Sequence, residues 1–207
     1  MSDIKLNFIN NSNDANNSQI VIFQQNVAED YKPNPVAWKV IRECGPGMNH
    51  PFVYESSLMI CANDAFGNFT PKQPASESQA FEMVHSPTGC VLQPADHPAR
   101  EYTIEIANHL DKGVIGMHFY RNGRLLATRT GMPPGQKGML AFRPTLHIGV
   151  VSQILEGDVM DDAILEQIKT EINLTGIVSA DIIMSGGGAG EEAVPFSFRI
   201  ENIIRQH

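Results

Sequence analysis

The sequence has little of what marks an exported, metal-bound or membrane-spanning protein. Its 207 residues include only three cysteines, Cys44, Cys61 and Cys90, without any Cys-x-x-Cys spacing. An odd number of cysteines without that spacing argues against a disulfide framework and against a zinc ribbon. No apolar run approaches the ~20 residues of a membrane helix, and no signal peptide precedes the first strand pattern. The sequence therefore predicts a soluble, cytoplasmic protein without a transmembrane segment, and it leaves non-classical release open.

Positive charge is also scarce. The chain carries 15 Lys and Arg residues against 23 Asp and Glu residues, which gives a formal net charge of −8. The basic residues are scattered along the sequence instead of forming a stripe. Because a phosphate backbone is bound by clustered positive charge, the sequence predicts no nucleic-acid partner.

Strand patterns recur along most of the chain. Residues 4–9 alternate apolar and polar side chains, and Asn122-Gly123 separates two apolar runs at residues 117–120 and 125–128. Asn-Gly favours a type I′ turn, whose twist matches that of paired strands. Counting similar segments gives about a dozen strands. The sequence thus predicts an all-β protein, an antiparallel β-sandwich that forms a single domain over residues 1–207.

One segment departs from the strand pattern. Ile164, Ile168 and Ile172 recur at every fourth position between residues 161 and 172, with charged residues between them. This spacing predicts one short amphipathic helix over residues 161–172 that packs against the core. Asp161 precedes it as an N-cap, and Gly176 follows its last turn.

No stretch of the sequence carries a recognisable catalytic or cofactor motif. There is no Gly-x-Ser-x-Gly elbow, so no catalytic residue is assigned. The glycine-rich residues 185–190 precede Glu191, Glu192 and a further strand pattern. A dinucleotide loop instead needs a helix N-terminus behind it to hold the phosphates. No cofactor is predicted.

Three histidines are the candidate metal ligands. His118 and His147 fall in predicted strands, and His50 precedes Pro51 in a predicted loop. Strands can bring distant ligands together without a local motif. The first alternative function is therefore a small-molecule or metal-dependent enzyme whose cavity is lined by these histidines.

Aromatic residues in predicted loops are the candidate ligand- or partner-binding residues. Phe66 and Phe69 flank Gly67-Asn68, and Tyr31 lies near two prolines. Rings presented beside amide side chains are typical of sugar-binding and protein-binding surfaces. The second alternative function is therefore a carbohydrate- or lipid-binding module of lectin-like or cytolysin-like character.

Sheet edges favour self-association. Residues 19–23 and 140–154 read as strands with little of the charge that usually protects an edge. The leading hypothesis is a non-catalytic protein that acts by ligand or partner binding or by self-assembly into a homo-oligomer or filament. A glycan or small molecule remains a possible ligand.

Overall fold

The computed structural model describes residues 2–28 and 35–206, and sixteen strands account for most of them. The first eight are β1 (Ile4–Asn10), β2 (Gln19–Phe23), β3 (Lys39–Ile41), β4 (Asn49–Tyr54), β5 (Leu58–Asn63), β6 (Gln73–Ala75), β7 (Ala80–Ser86) and β8 (Gly89–Pro94). The other eight are β9 (Ile104–Asn108), β10 (Ile115–Arg121), β11 (Arg124–Met132), β12 (Lys137–Leu140), β13 (Thr145–Val151), β14 (Thr170–Asn173), β15 (Ile177–Gly187) and β16 (Val194–Arg205). One α-helix, α1 (Asp162–Leu165), and one 3₁₀ turn (Gly190–Glu192) complete the regular structure.

The strands form four sheets of four strands each. The strand orders are β16-β15-β1-β4 in sheet 1, β14-β13-β2-β3 in sheet 2, β11-β10-β5-β6 in sheet 3 and β12-β9-β7-β8 in sheet 4. Neighbouring strands are antiparallel except in the pairs β1–β15 and β7–β9, which are parallel. The predicted all-β, sandwich-like fold class is confirmed, with more short strands than the dozen expected.

The described chain divides into two compact units. The first takes residues 2–24, 36–56 and 144–206 and contains sheets 1 and 2. The second takes residues 25–28, 35 and 57–143 and contains sheets 3 and 4. The single-domain organisation over residues 1–207 stays a prediction.

Each unit buries apolar side chains of its own strands. In the first, β1 alternates as its sequence predicts, with Ile4, Leu6 and Phe8 buried. Trp38 is 1% exposed and packs edge-on against Phe52 and Tyr54, with ring centroids 6.3 and 6.2 Å away. The second unit buries Ile60, Ile106, Met117 and Phe119. Aromatic and β-branched residues at alternate positions thus place the strands as period-two patterning requires.

The Asn122-Gly123 hairpin is confirmed. β10 and β11 pair antiparallel on either side of this turn. The two residues have φ angles of +50° and +70°, as a type I′ turn requires at both central positions.

The predicted helix over residues 161–172 is wrong in extent. The helix covers only Asp162–Leu165, although Asp161 caps it as expected, its carboxylate accepting a 2.9 Å hydrogen bond from the Ile164 amide. Residues 170–173 instead form β14, which pairs with β13 and sets Ile172 opposite Leu146. Thr170 and Ile172 are β-branched and alternate with period two, so the free edge of β13 recruits residues 170–173 as a strand.

The described residues contain no helix with the length and apolar content needed to cross a membrane.

Candidate binding surfaces

The three candidate histidines lie in different sheets. His118 is on β10 in the second unit, whereas His147 on β13 and His50 on β4 belong to sheets 2 and 1 of the first unit. The predicted loop position of His50 is wrong, because residues 49–54 pair with β1 as a strand. His147 stacks on Phe23 with ring centroids 5.0 Å apart, and its Nδ1 lies 3.9 Å from a Glu171 carboxylate oxygen. Within residues 2–28 and 35–206, no three His, Cys, Asp or Glu side chains are grouped as metal ligands would be. The described residues around these three histidines therefore supply no ligand set for the metal-site hypothesis.

His118 is held by a polar network on one face of sheet 3. Its Nε2 lies 2.7 Å from Asn63 Oδ1, and its Nδ1 lies 3.0 Å from the Thr128 hydroxyl. Because the amide oxygen only accepts, Nε2 carries the proton and Nδ1 accepts from Thr128. Burial lowers the pKa of His118, so the neutral ring is favoured. Both ring nitrogens are thus engaged within the sheet.

Phe69 joins this network, so the structure brings together two candidates that the sequence placed in separate classes. Its ring centroid lies 5.1 Å from that of His118, and the residue is 59% exposed. Phe66, in the same loop, is 90% exposed. The Asp64 carboxylate fixes the loop by accepting hydrogen bonds from the Phe66 and Asn68 amides, each 2.9 Å long. Tyr31, the third aromatic candidate, lies outside the described residues.

Sequence reasoning missed the neighbours of His118 on the same face of sheet 3. Tyr120 lies two residues along β10, and the Cys61 thiol is 3.9 Å from its hydroxyl. Burial raises the pKa of Tyr120 to about 12 and also raises the pKa of the Cys61 thiol. A protonated thiol and phenol are poor nucleophiles at neutral pH. Burial therefore favours the protonated forms of both Tyr120 and Cys61 at neutral pH.

β16 is an edge strand with unusual exposure. It is the terminal strand of sheet 1, it pairs with β15, and none of its residues with a described side chain is buried. Val194, Ile203 and Ile204 are 58%, 38% and 60% exposed. Arg199 and Glu201 form an ion pair with each other on its exposed face. β16 thus offers a twelve-residue strand with one unpaired edge and exposed side chains.

The edges that the sequence predicted are not edges. β2, at Gln19–Phe23, lies between β13 and β3, and β13 lies between β14 and β2. These strands lack charge because they are central and buried. The expectation of charge-poor edges at residues 19–23 and within β13 is therefore wrong, while β12 (Lys137–Leu140) does lie at the edge of sheet 4.

A groove of about 440 Å³ opens at the end of sheet 2 where β2 begins and β13 ends. Gln19 pairs with Val151 in the ladder there, which brings the loop before β2 beside the loop after β13. The lining is formed by polar uncharged residues of these loops, by Gln19 of β2, by Gln167 after α1, and by Val150 and Val151. Its volume falls within the range of small-molecule sites, roughly 300–1,000 Å³.

Comparison with known proteins finds no matching family model, no matching curated protein and no matching solved structure. Function therefore has to be inferred from the surfaces of the described residues.

Proposed function

We propose that this protein is a non-catalytic binding protein that self-associates through strand β16. The observation that carries the proposal is the edge of sheet 1: a twelve-residue strand, unpaired on one side, with no buried residue among its described side chains. Backbone N–H and C=O groups along such an edge form a template for a further strand.

The exposed apolar side chains of β16 favour an arrangement in which another protein surface covers this strand. Val194, Ile203 and Ile204 leave more than a third of their surface in water, although natural edges are usually short, charged or bulged. β16 carries such devices, namely Pro195, the charged pair Arg199 and Glu201, and register shifts near both ends, one of them beside Asn202, whose φ is +50°. This bulge bends the strand near its C-terminal end. The residues before Asn202 retain a regular register with β15 from Phe198 to Glu201.

The charges of β16 select a second copy of the chain as its partner. Arg199 and Glu201 lie two residues apart on one face, with Ile200 between them. In an antiparallel pair of β16 strands related by a two-fold axis at Ile200, Arg199 faces the second copy's Glu201, and Glu201 faces the second copy's Arg199. The interface is then isologous, with two opposite-charge cross-strand pairs. Such pairing joins two four-stranded sheets into one of eight strands.

Charge reversal tests this pairing. We expect the wild-type mass, measured by light scattering and sedimentation over a concentration series, to approach that of a dimer as concentration rises. R199E sets carboxylate against carboxylate, and E201R sets guanidinium against guanidinium, twice in each dimer. Because a cross-strand charge pair contributes roughly 0.2–1 kcal/mol and each single reversal makes two such pairs repulsive, each should weaken dimerisation by about tenfold.

Mixing supplies the sharpest control. An equimolar mixture of R199E and E201R restores opposite charges across the interface, so we expect it to form a heterodimer that neither variant forms alone. K112E, at an exposed loop lysine of the second unit, changes the net charge as R199E does and should leave dimerisation intact. A monomeric wild type, or a mixture that stays monomeric while the wild type dimerises, would contradict the proposed pairing.

A further inference from the structure

The groove at the end of sheet 2 is lined mainly by uncharged polar side chains. Five amides line it: Asn16, Asn17, Gln19, Gln153 and Gln167. The serine hydroxyls of Ser18 and Ser152 and the two valines of β13 complete the lining, and no lining residue is charged. Amides and hydroxyls both donate and accept hydrogen bonds. The groove therefore matches a neutral ligand whose own polar groups do both.

One wall of the groove is pre-organised by Asp14. Its carboxylate accepts hydrogen bonds from the backbone amides of Asn16 and Ser18, at 2.9 and 2.7 Å, and from the Ser18 hydroxyl at 3.1 Å. Asp14 is itself 8% exposed. The carboxylate is thus occupied in holding the loop, and the loop is fixed before a ligand arrives. Pre-organisation of this kind lowers the entropic cost of binding.

Two lining glutamines have one half of their amide committed to the protein. The Gln19 amide oxygen accepts from the Ile154 N–H at 3.1 Å, and the Gln167 amide nitrogen donates to the Ala163 carbonyl at 3.1 Å. These bonds fix the two side chains. They leave the Gln19 NH₂ group as a donor and the Gln167 oxygen as an acceptor for a ligand.

Backbone strain marks the same groove. Asn17 and Gln153, one in each flanking loop, have φ angles of +52° and +59°. Asn adopts this region readily, but Gln does so rarely, and glycine would fit there without strain. The left-handed backbone of Gln153 in a ligand-sized groove therefore motivates the hypothesis that its side chain takes part in binding.

We infer that this groove binds a neutral hydroxylated ligand, a saccharide of about two sugar units. Sugar hydroxyls both donate and accept, and the half-buried Val150 offers an apolar surface for the C–H face of a sugar ring. The uncharged lining disfavours phosphorylated and carboxylated ligands, because nothing in it neutralises their charge. No aromatic ring lines the groove, so a single site should bind weakly. The inference does not depend on pairing through β16, but a dimer would present two such sites and gain avidity on a multivalent glycan.

The test is an NMR titration with defined neutral disaccharides, namely maltose, lactose and chitobiose, each at tens of millimolar. We expect at least one to shift the backbone amide signals of Asn17, Gln19, Ser152 and Gln153, while glucose-6-phosphate and a triglycine peptide with both termini capped leave them in place. Q153G removes the amide and the strain together. We expect it to weaken disaccharide binding about five- to tenfold while melting at the same or a higher temperature.

Q153N is the matched control, because it keeps an amide and tolerates the positive φ, and it should retain binding within about twofold. Repeating the titration on R199E separates the two proposals, since neither Arg199 nor Glu201 lines the groove and its signals should shift equally in a monomer. The inference is overturned if none of the disaccharides shifts the groove signals, if triglycine alone does so, or if Q153G binds as the wild type does.

Discussion

His118 shows at the scale of one residue how burial turns a titratable group into a pH-dependent structural element. Its folded pKa is lowered by burial, so the unfolded chain binds the proton more readily. Neutral His118 therefore contributes fully to the free energy of unfolding at pH values above about 6.5, the pKa of histidine in the unfolded chain. This contribution is lost as the pH falls below that value. His147 acts in the same direction, since burial lowers its pKa too.

We expect urea denaturation to show a lower free energy of unfolding at a pH of about 5.5 than at about 7, before most carboxylates titrate. H118N should be less stable than the wild type at the higher pH, but it should lose less stability on acidification. H97N, at an exposed loop histidine, should keep the wild-type slope. An unchanged slope in H118N would show that His118 titrates alike in the folded and unfolded chains.

The sequence could place His118 and Phe69 on a list of candidates, but it could not place them in contact. Their contact depends on the antiparallel register that sets Gly116 opposite Asn63 and His118 opposite Cys61. A signal was nevertheless available. A Cβ atom at Gly116 would lie 2.2 Å from Asn63 Oδ1, so the glycine two residues before His118 on the same face makes room for the Asn63 side chain. Glycine inside a strand marks such close approaches.

At the scale of elements, strands were predictable where period-two patterning and turn residues agreed. β1 and the β10–β11 hairpin follow directly from alternation and from Asn122-Gly123. The segment containing Ile164, Ile168 and Ile172 was not predictable, because isoleucine at every fourth position fits a helix face and a strand face equally. The edge of β13 decides the outcome, and that edge comes from a different part of the chain. Whether a strand lies at the edge or in the centre of its sheet also depends on non-local pairing, and for this reason the sequence analysis wrongly placed β2 at an edge.

The contact between β13 and the segment after α1 provides an element-scale prediction. A Cβ at Gly149 would lie 2.7 Å from Cγ1 and 3.0 Å from Cγ2 of Ile168, which is 7% exposed. Because a β-branched side chain cannot swing aside at χ1, G149A should cost about 1–3 kcal/mol of unfolding free energy in urea denaturation. I168A alone should cost about 2–5 kcal/mol, and the double variant should cost less than the sum.

Gly138 on β12 offers the matched control for Gly149. A Cβ there would also lie 2.7 Å from side-chain atoms, but these are the Sδ and Cε atoms of Met117, with the Met132 sulfur at 2.8 Å. Methionine ends are flexible and can shift, so G138A should cost less than G149A. Equal costs, or strict additivity of G149A and I168A, would mean that the stiffness of Ile168 does not set the tolerance of this site.

At the scale of the whole molecule, composition and patterning predicted the all-β class, but not the division into two compact units. The chain passes between the units at residues 24–25, 35–36, 56–57 and 143–144, so the first unit is assembled from three separate segments. Sequence patterns report local periodicity and do not report which distant segments share a core. Whether the chain forms a single domain can therefore be tested by asking whether the two units unfold in one cooperative transition.

The chain path argues for coupled unfolding. When the second unit unfolds, residues 57–143 become a flexible loop within the first unit, and closing that loop carries an entropic cost that grows with its length.

Trp38, the single tryptophan, lies in the first unit, so its fluorescence reports on that unit alone. Two buried asparagines provide matched perturbations: the Asn10 amide donates to the Cys44 carbonyl in the first unit, and the Asn26 amide oxygen accepts from the Ala141 N–H in the second.

We expect N10A and N26A both to lower the denaturation midpoint seen by Trp38 fluorescence, because each leaves buried backbone groups without partners at about 1–3 kcal/mol apiece. The loss of β-strand structure, followed by far-UV circular dichroism, should give the same denaturation midpoint as fluorescence in each variant, because a cooperative transition requires both probes to agree. If N26A leaves the Trp38 midpoint unchanged and splits the dichroism curve into two phases, then the units unfold independently. The single-domain interpretation would then give way to two separate cores, and the loop-closure coupling would be too small to join them.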